Sequence, residues 1–217
     1  MNRAYEALIV DFGGVLTTPL QDAMVAFAAA HGIELQDFVR AALGVYAGGD
    51  DPLVTDFETG RISEHDFSIA FAARLRETCG VTVGSDGLLE RIFGTLRLEE
   101  PMLEAVRNAR RAGLRTALCS NSWGTDLYPS ELFPDMFDVV VISGEVGLRK
   151  PDAQIFELTI QRLGVAPQAS VFVDDHPGHL RAAAELGITT VLHKDPAATI
   201  AELEVLLGIP LRRSTGP

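Results

Sequence analysis

The chain has 217 residues, with 18 basic and 30 acidic side chains, and its formal net charge is −12. An acidic protein lacks the basic surface that sequence-independent nucleic-acid binding requires, and it is disfavoured on anionic lipid. A small anionic substrate is still permitted, because one site can be locally positive on an acidic protein.

The two cysteines, Cys79 and Cys119, are too few and too scattered for a disulfide framework or a CxxC zinc site. The first apolar run is too short for a signal peptide, and no stretch approaches the length of a membrane span. We therefore expect a soluble, cytoplasmic protein without a nucleic-acid or membrane partner. The sequence leaves the oligomeric state open.

Five short apolar runs predict buried strands. They do not alternate with polar residues, which is typical of parallel strands covered on both faces. The predicted strands are Ala7–Val10, Arg115–Cys119, Val139–Ile142, Val171–Val173 and Thr189–Leu192. Helical patterns lie between and after these strands, at Glu99–Ala112, Asp152–Leu163, Pro177–Leu186 and Pro196–Leu207. This alternation predicts an α/β fold with a Rossmann-like parallel sheet.

Residues 17–97 interrupt the alternation. The stretch predicts helices only, at Asp22–His31, Gln36–Leu43, Ser63–Glu77 and Leu88–Phe93. We interpret residues 17–97 as an all-helical domain inserted after the first strand. Residues 1–16 and 98–217 then form the α/β core domain.

Polar residues stand where the predicted strands end, which is the edge at which parallel α/β sheets form their sites. These residues are Asp11, Ser120, Asn121, Lys150, Asp174 and Asp175. Carboxylates from different strands repel each other unless a cation lies between them, and hard oxygen ligands suit Mg²⁺. A metal and Lys150 would hold a phosphoryl group, Ser120 would donate a hydrogen bond to it, and Asp11 is a candidate nucleophile.

Four motifs, in order, resemble those of the haloacid dehalogenase-like (HAD) hydrolases over residues 7–187. They are Asp11-Phe12-Gly13-Gly14-Val15-Leu16, Leu118-Cys119-Ser120-Asn121, Gly147-Leu148-Arg149-Lys150-Pro151-Asp152 and Val171-Phe172-Val173-Asp174-Asp175. The helical insertion is similar to the cap domain of the phosphatase-like branch of this family. Its segment Glu58-Thr59-Gly60-Arg61-Ile62-Ser63 resembles the caps of relatives of the epoxide hydrolase N-terminal phosphatase.

The resemblance implies a Mg²⁺-dependent phosphohydrolase of a small phosphorylated metabolite, which forms an aspartyl-phosphate on Asp11. It implies that Ser120 and Lys150 hold the phosphoryl oxygens, with Asn121 and Gly13 beside the substrate. It also implies a metal site made of Asp11, the backbone carbonyl of Gly13, Asp174 and Asp175. Independently of the resemblance, Trp123 is a candidate for lining the substrate pocket.

Gly13 departs from the family pattern. Phosphatases of the family carry a second Asp two residues after the nucleophile, which protonates the leaving group and later activates water. General acid–base catalysis is typically worth about 10²–10⁴-fold. Either another group supplies it here, or the substrate has a good leaving group, or the enzyme is slow or inactive. Asp175, His176 and a cap residue are the candidate substitutes.

Several alternatives stay open. Gly13 is compatible with a phosphometabolite-binding or regulatory protein that has lost turnover. A metal-independent 2-haloacid dehalogenase is a further hypothesis, although dehalogenases usually lack the acidic pair at Asp174 and Asp175. His176 and His179 beside that pair permit a transition metal. In the insertion, the candidate substrate contacts are Arg40, Tyr46, Asp50 and Asp51.

Overall fold

A computed structural model describes residues 4–46, 51–124 and 128–212, with the backbone alone over residues 42–46. One sheet of five parallel strands has the order β3-β2-β1-β4-β5. The strands are β1 (Ala7–Val10), β2 (Arg115–Ser120), β3 (Val139–Ile142), β4 (Ser170–Asp174) and β5 (Thr189–Leu192). Each predicted strand is confirmed to within one residue at either end.

The register of the sheet brings the polar residues to one edge. Val10 lies opposite Leu118 on β2 and opposite Val173 on β4. The next residues along these three strands are therefore level with each other at their carboxyl ends. They are Asp11, Cys119 and Asp174, and Ser120 follows directly as the last residue of β2.

Helices cover both faces of the sheet, as the α/β prediction requires. They are α6 (Glu100–Arg111), α7 (Phe133–Met136), α8 (Ser143–Val146), α9 (Ala153–Leu163), α10 (Pro177–Glu185) and α11 (Pro196–Leu207). Successive strand residues point to opposite faces. Leu118 therefore packs with Met102 in one buried cluster, whereas Phe172 packs with Phe156 in another. The Rossmann-like α/β fold is confirmed.

Between β1 and α6, the described residues form five helices, and none of them belongs to a strand of the sheet. They are α1 (Leu20–Ala30), α2 (Leu35–Tyr46), α3 (Pro52–Glu58), α4 (Glu64–Cys79) and α5 (Leu88–Phe93). These helices bury their own apolar cluster, in which Phe67 stacks on Phe57 with ring centroids 4.2 Å apart. The sequence did not predict α3, which starts at Pro52 behind the N-cap of Asp51. The assignment of residues 17–97 as a separate cap domain stays a prediction.

Two backbone contacts show how the cap helices are attached to the core. Thr17 and Leu98 form an antiparallel bridge, so the chain leaves and rejoins the core at adjacent points. Behind α3, Gly60 lies against the backbone of Gly144 with a φ of +70°. A Cβ atom at residue 60 would overlap the carbonyl oxygen of Gly144. Both this overlap and the positive φ therefore require glycine at residue 60.

Among the helices of residues 4–46, 51–124 and 128–212, none combines the length and the apolar character that crossing a bilayer demands.

Candidate active site

A buried lysine joins the two central strands at the candidate site. The Lys150 Nζ lies 2.8 Å from Asp11 Oδ1 and 2.7 Å from Asp174 Oδ2, and the lysine side chain has no solvent exposure. Lys150 itself lies in the turn before α9, which begins at Ala153. The topology supplies this contact, because β1 and β4 are neighbours and their carboxyl ends bring the two carboxylates together.

Burial and the neighbouring charges give the two carboxyl groups different pKa values. Burial raises the pKa of Asp11 to about 7, although the Lys150 ammonium opposes this shift. Burial acts in the same direction on Asp174, but the Lys150 ammonium and the ring of His179 outweigh it and hold its pKa well below the usual range. Asp174 is therefore the fixed anion of the pair, and Asp11 is the carboxylate whose charge depends on what binds beside it.

Asn121 fixes the backbone that carries Lys150. Its Oδ1 accepts a hydrogen bond from the Lys150 N–H at 2.8 Å, and its Nδ2 donates to the Lys150 carbonyl oxygen at 3.0 Å. Beside it, the buried Ser120 hydroxyl lies 2.9 Å from the Tyr128 hydroxyl. These contacts tie the segment after β2 to the segment after β3. We call Asp11, Ser120, Lys150 and Asp174 together the floor of the site.

The acidic pair after β4 is arranged around Gly14 and two histidines. The Asp175 carboxylate lies so close to Gly14 that a Cβ atom there would overlap it. Burial, followed by the charge of Asp174, raises the pKa of Asp175 to about 6. The His179 Nδ1 lies 3.1 Å from each Asp174 oxygen. Burial, reinforced by Lys150, lowers the pKa of His179 to about 4, so its ring is neutral at pH 7.

The donor set of this floor fits a divalent cation. Asp11, Asp174 and His179 each offer one ligand atom, and these atoms all lie within 4.8 Å of one another. Carboxylate oxygens, with the Gly13 carbonyl and Asp175 as further candidates, are hard ligands that suit Mg²⁺. His179, which the sequence left as an alternative ligand, belongs to the same cluster.

A cavity of about 980 Å³ opens above the floor. Asp11, Ser120 and Asn121 line it from the core, together with Gly13. On the other side it is bounded by Leu20, Phe93 and Leu96 of the cap helices and their connections, and by Trp123. We call these last four residues the cap wall. Trp123 lines this cavity, and its ring centroid lies 5.6 Å from that of Phe93.

Sequence reasoning assigned no role to the charged pair that joins cap and core at this cavity. The Glu58 Oε2, at the end of α3, lies 2.9 Å from the Arg149 Nε, and the two side chains are 3% and 12% exposed. Arg149 Nη1 donates to the Thr55 hydroxyl at 2.6 Å, and the Ser143 hydroxyl donates to the Glu58 carbonyl oxygen. A signal was present in the sequence, because Glu58 and Arg149 both fall in segments that resemble the family.

The cap residues proposed as substrate contacts are not brought to the cavity where the structure describes them. Arg40 is exposed and pairs with Asp37 at 3.1 Å. Asp51 caps α3 and forms an ion pair with Arg74. Asp50 and the side chain of Tyr46 lie outside the described residues.

Comparison with known proteins identifies the family. Residues 5–187 match the family model of haloacid dehalogenase-like hydrolases. Acyl-CoA dehydrogenase family member 10 of Mus musculus is 33% identical over 96% of this chain, which spans 20% of that protein. Bifunctional epoxide hydrolase 2 of Sus scrofa is 29% identical over 96% of this chain, which spans 40% of that protein. Sesquiterpene phosphatase astK of Aspergillus oryzae is 26% identical over 96% of this chain and 100% of its own length.

A solved structure has the same fold. The magnesium complex of an enzyme from Bacteroides thetaiotaomicron, of the same superfamily, superimposes with a TM-score of 0.66. It is 22% identical and covers 88% of this chain and 94% of its own. The likeness supports the α/β fold that the sequence predicted.

Proposed function

Because the chain belongs to the haloacid dehalogenase-like hydrolase family, we propose that it is a Mg²⁺-dependent phosphohydrolase of a small phosphorylated metabolite. The family makes it a hydrolase, and it has relatives named as phosphatases. The observation that carries the proposal is the floor, where a buried Lys150 ammonium lies between the carboxylates of Asp11 and Asp174. This chain spans only 20% of the acyl-CoA dehydrogenase relative and 40% of the epoxide hydrolase relative, so their substrates are not transferred to it.

In the proposed reaction, Asp11 is the nucleophile. Its carboxylate attacks phosphorus and the bond to the leaving group breaks, which leaves an aspartyl-phosphate on Asp11. Water then cleaves the acyl phosphate and releases inorganic phosphate. Lys150 and the Ser120 hydroxyl balance the charge on the phosphoryl oxygens, and Asn121 keeps the Lys150 backbone in place.

Asp11, the Gly13 carbonyl, Asp174 and Asp175 are the proposed holders of the metal, with His179 beside them. A bound Mg²⁺ would supply positive charge to the phosphoryl oxygens. The raised pKa of Asp11 fits this assignment, because a group that is costly to ionise when buried is stabilised as an anion by a cation next to it.

The test measures phosphate release from a panel of small phosphate esters, with Mg²⁺ and with a chelator. We expect activity that depends on Mg²⁺ and that falls by about 10⁴-fold or more in Asp11→Asn, because the covalent route is lost. Activity that survives Asp11→Asn contradicts the nucleophile, and activity that survives chelation contradicts the metal. Halide release from 2-haloacids in the presence of chelator would instead support dehalogenation.

Gly13 favours a second candidate, a phosphometabolite-binding protein without turnover. This candidate predicts Mg²⁺-dependent binding of phosphate esters, seen by calorimetry, with no release of inorganic phosphate. Turnover in the ester panel contradicts it.

A further inference from the structure

The position that lacks a catalytic acid is covered by an apolar side chain. A Cβ atom placed on Gly13 would lie 2.9 Å from the Leu20 Cδ1. Leu20 is the first residue of α1, so a cap residue occupies the space into which a side chain at residue 13 would extend. An acid–base group for the proposed reaction must therefore reach the cavity from elsewhere.

Among the carboxyl groups that line the cavity, one remains as a candidate for the acid–base group. In the described part of the chain, four acidic residues line it. Asp11 and Asp175 belong to the floor and its metal site, and Glu131 is exposed at the rim. Glu58 is the remaining one, and its side chain is 3% exposed.

We propose that Glu58 is the general acid and general base of this hydrolase, in place of the Asp that the family's phosphatases carry two residues after the nucleophile. The proposal rests on the proposed phosphohydrolase function. Glu58 comes from the cap, and its carboxyl group lies beside Asn121, one residue beyond the Ser120 of the floor.

The two carboxyl oxygens of Glu58 have different contacts. Oε2 accepts a hydrogen bond from Asn121 Nδ2 at 3.4 Å and lies 2.9 Å from the Arg149 Nε. Within residues 4–46, 51–124 and 128–212, no hydrogen bond is made to Oε1. Oε2 is thus held as an acceptor, and Oε1 is the oxygen left to carry a transferable proton.

The ionisation of Glu58 suits this role. Burial raises its pKa to about 7, against the opposing charges of Arg149 and Lys150. Among the described residues, Tyr128 is a further titratable group that interacts with Glu58, and burial raises the pKa of Tyr128 well above its usual value, so its hydroxyl stays neutral. A carboxyl group with a pKa near the working pH can both give and take a proton.

The two proton transfers balance. As Asp11 attacks phosphorus and the leaving-group bond breaks, the protonated Glu58 gives its proton to the leaving oxygen, which departs as an alcohol. Glu58, now a carboxylate, takes a proton from the water that attacks phosphorus in the second step. The Asp11–phosphorus bond breaks, and phosphate, the Asp11 carboxylate and the protonated Glu58 are restored.

The decisive test compares Glu58→Gln on two esters that differ in their leaving group. An alkyl phosphate needs its leaving oxygen protonated, whereas the nitrophenolate of p-nitrophenyl phosphate leaves unaided. We expect kcat/KM, which reports the attack of Asp11 and not the later hydrolysis that both esters share, to fall by about 10²-fold or more on the alkyl ester and by less than about fivefold on the nitrophenyl ester. Glu145→Gln, an exposed glutamate on α8, is the matched control and should leave both values unchanged.

Each other outcome has a defined meaning. Equal losses of kcat/KM on both esters would show that Glu58 only supports the fold, and no loss of kcat/KM on either ester would remove it as the general acid. Either result overturns the inference while the proposed function stands. If the wild-type protein hydrolyses neither ester, the proposed function itself fails, and the inference falls with it.

A measurement on the wild-type protein covers the case in which Glu58→Gln does not fold. The values of kcat/KM for both esters are followed from pH 5 to pH 9. We expect a decline above about pH 7 for the alkyl ester alone, because only this ester requires the protonated form of Glu58. Identical profiles for the two esters would overturn the inference.

Discussion

The floor and the cap wall enclose the same cavity by opposite means. On the floor, the Lys150 ammonium forms ion pairs with Asp11 and Asp174, and two hydrogen bonds with Asn121 fix the Lys150 backbone. The cap wall is formed by Leu20, Phe93, Leu96 and Trp123, which limit the cavity mainly by shape. The charged floor can recognise one anionic group of the substrate. The apolar cap wall can be changed by mutation without disturbing the floor. The following predictions test that division.

Removal of the buried lysine should have the largest effect. Lys150→Met leaves Asp11 and Asp174 facing each other without their cation, and we expect a loss of about 3–5 kcal/mol in the free energy of unfolding. Urea denaturation in the presence of chelator measures it. Lys194→Met, at the other lysine, which is exposed, is the control, with an expected change within about 0.5 kcal/mol. Similar losses in both variants would mean that the floor is not held by this charge.

A change in the cap wall should cost less. Trp123 contacts the rings of Phe57, Phe67 and Phe93 and is partly buried. We expect Trp123→Ala to lower stability by about 2 kcal/mol, below the range for a fully buried aromatic residue, and to raise KM for bulky esters. Trp123→Phe should retain most of the stability and most of the affinity for bulky esters. A fall in kcat with unchanged KM would place Trp123 with the floor.

The contact of Gly13 with Leu20 is where the cap wall covers the floor, and an aspartate tests it. In the Glu58→Gln background, we expect Gly13→Asp to restore hydrolysis of the alkyl ester by about tenfold or more, once Leu20 rotates aside. In the wild-type background, the same change should alter the rate by less than about threefold. A large gain in rate when Gly13→Asp is made in the wild-type background would mean that no residue of the wild-type protein supplies acid–base catalysis.

The smallest effect is expected at a surface pair of the cap. Arg40 is exposed and Asp37 is half-exposed, and solvent-facing pairs of this kind contribute little. Arg40→Ala should change the free energy of unfolding by less than about 0.5 kcal/mol, and KM should not change. A clear rise in KM would make Arg40 a substrate contact after all.

The two regions also differ in how much of them the sequence predicted. The strands of the core were predicted closely, because a short continuous apolar run that ends at a polar residue is typical of a buried parallel strand. The contact of Lys150 with both carboxylates then follows from strand order. In the cap, α3 was missed although Asp51-Pro52 is a helix start, because the helix has only seven residues. The pairing of Glu58 with Arg149 depends on how α3 docks on the core, and local sequence patterns do not encode that docking.

The close packing of Gly60 on Gly144 limits how this protein can be re-engineered. Since no side chain fits between the two backbones, a replacement cap has to carry glycine at this point and a carboxylate two residues before it. A chimera built by exchanging residues 17–97 alone would meet this restriction immediately. The packing of Gly60 on Gly144 therefore limits which helical insertions could replace residues 17–97.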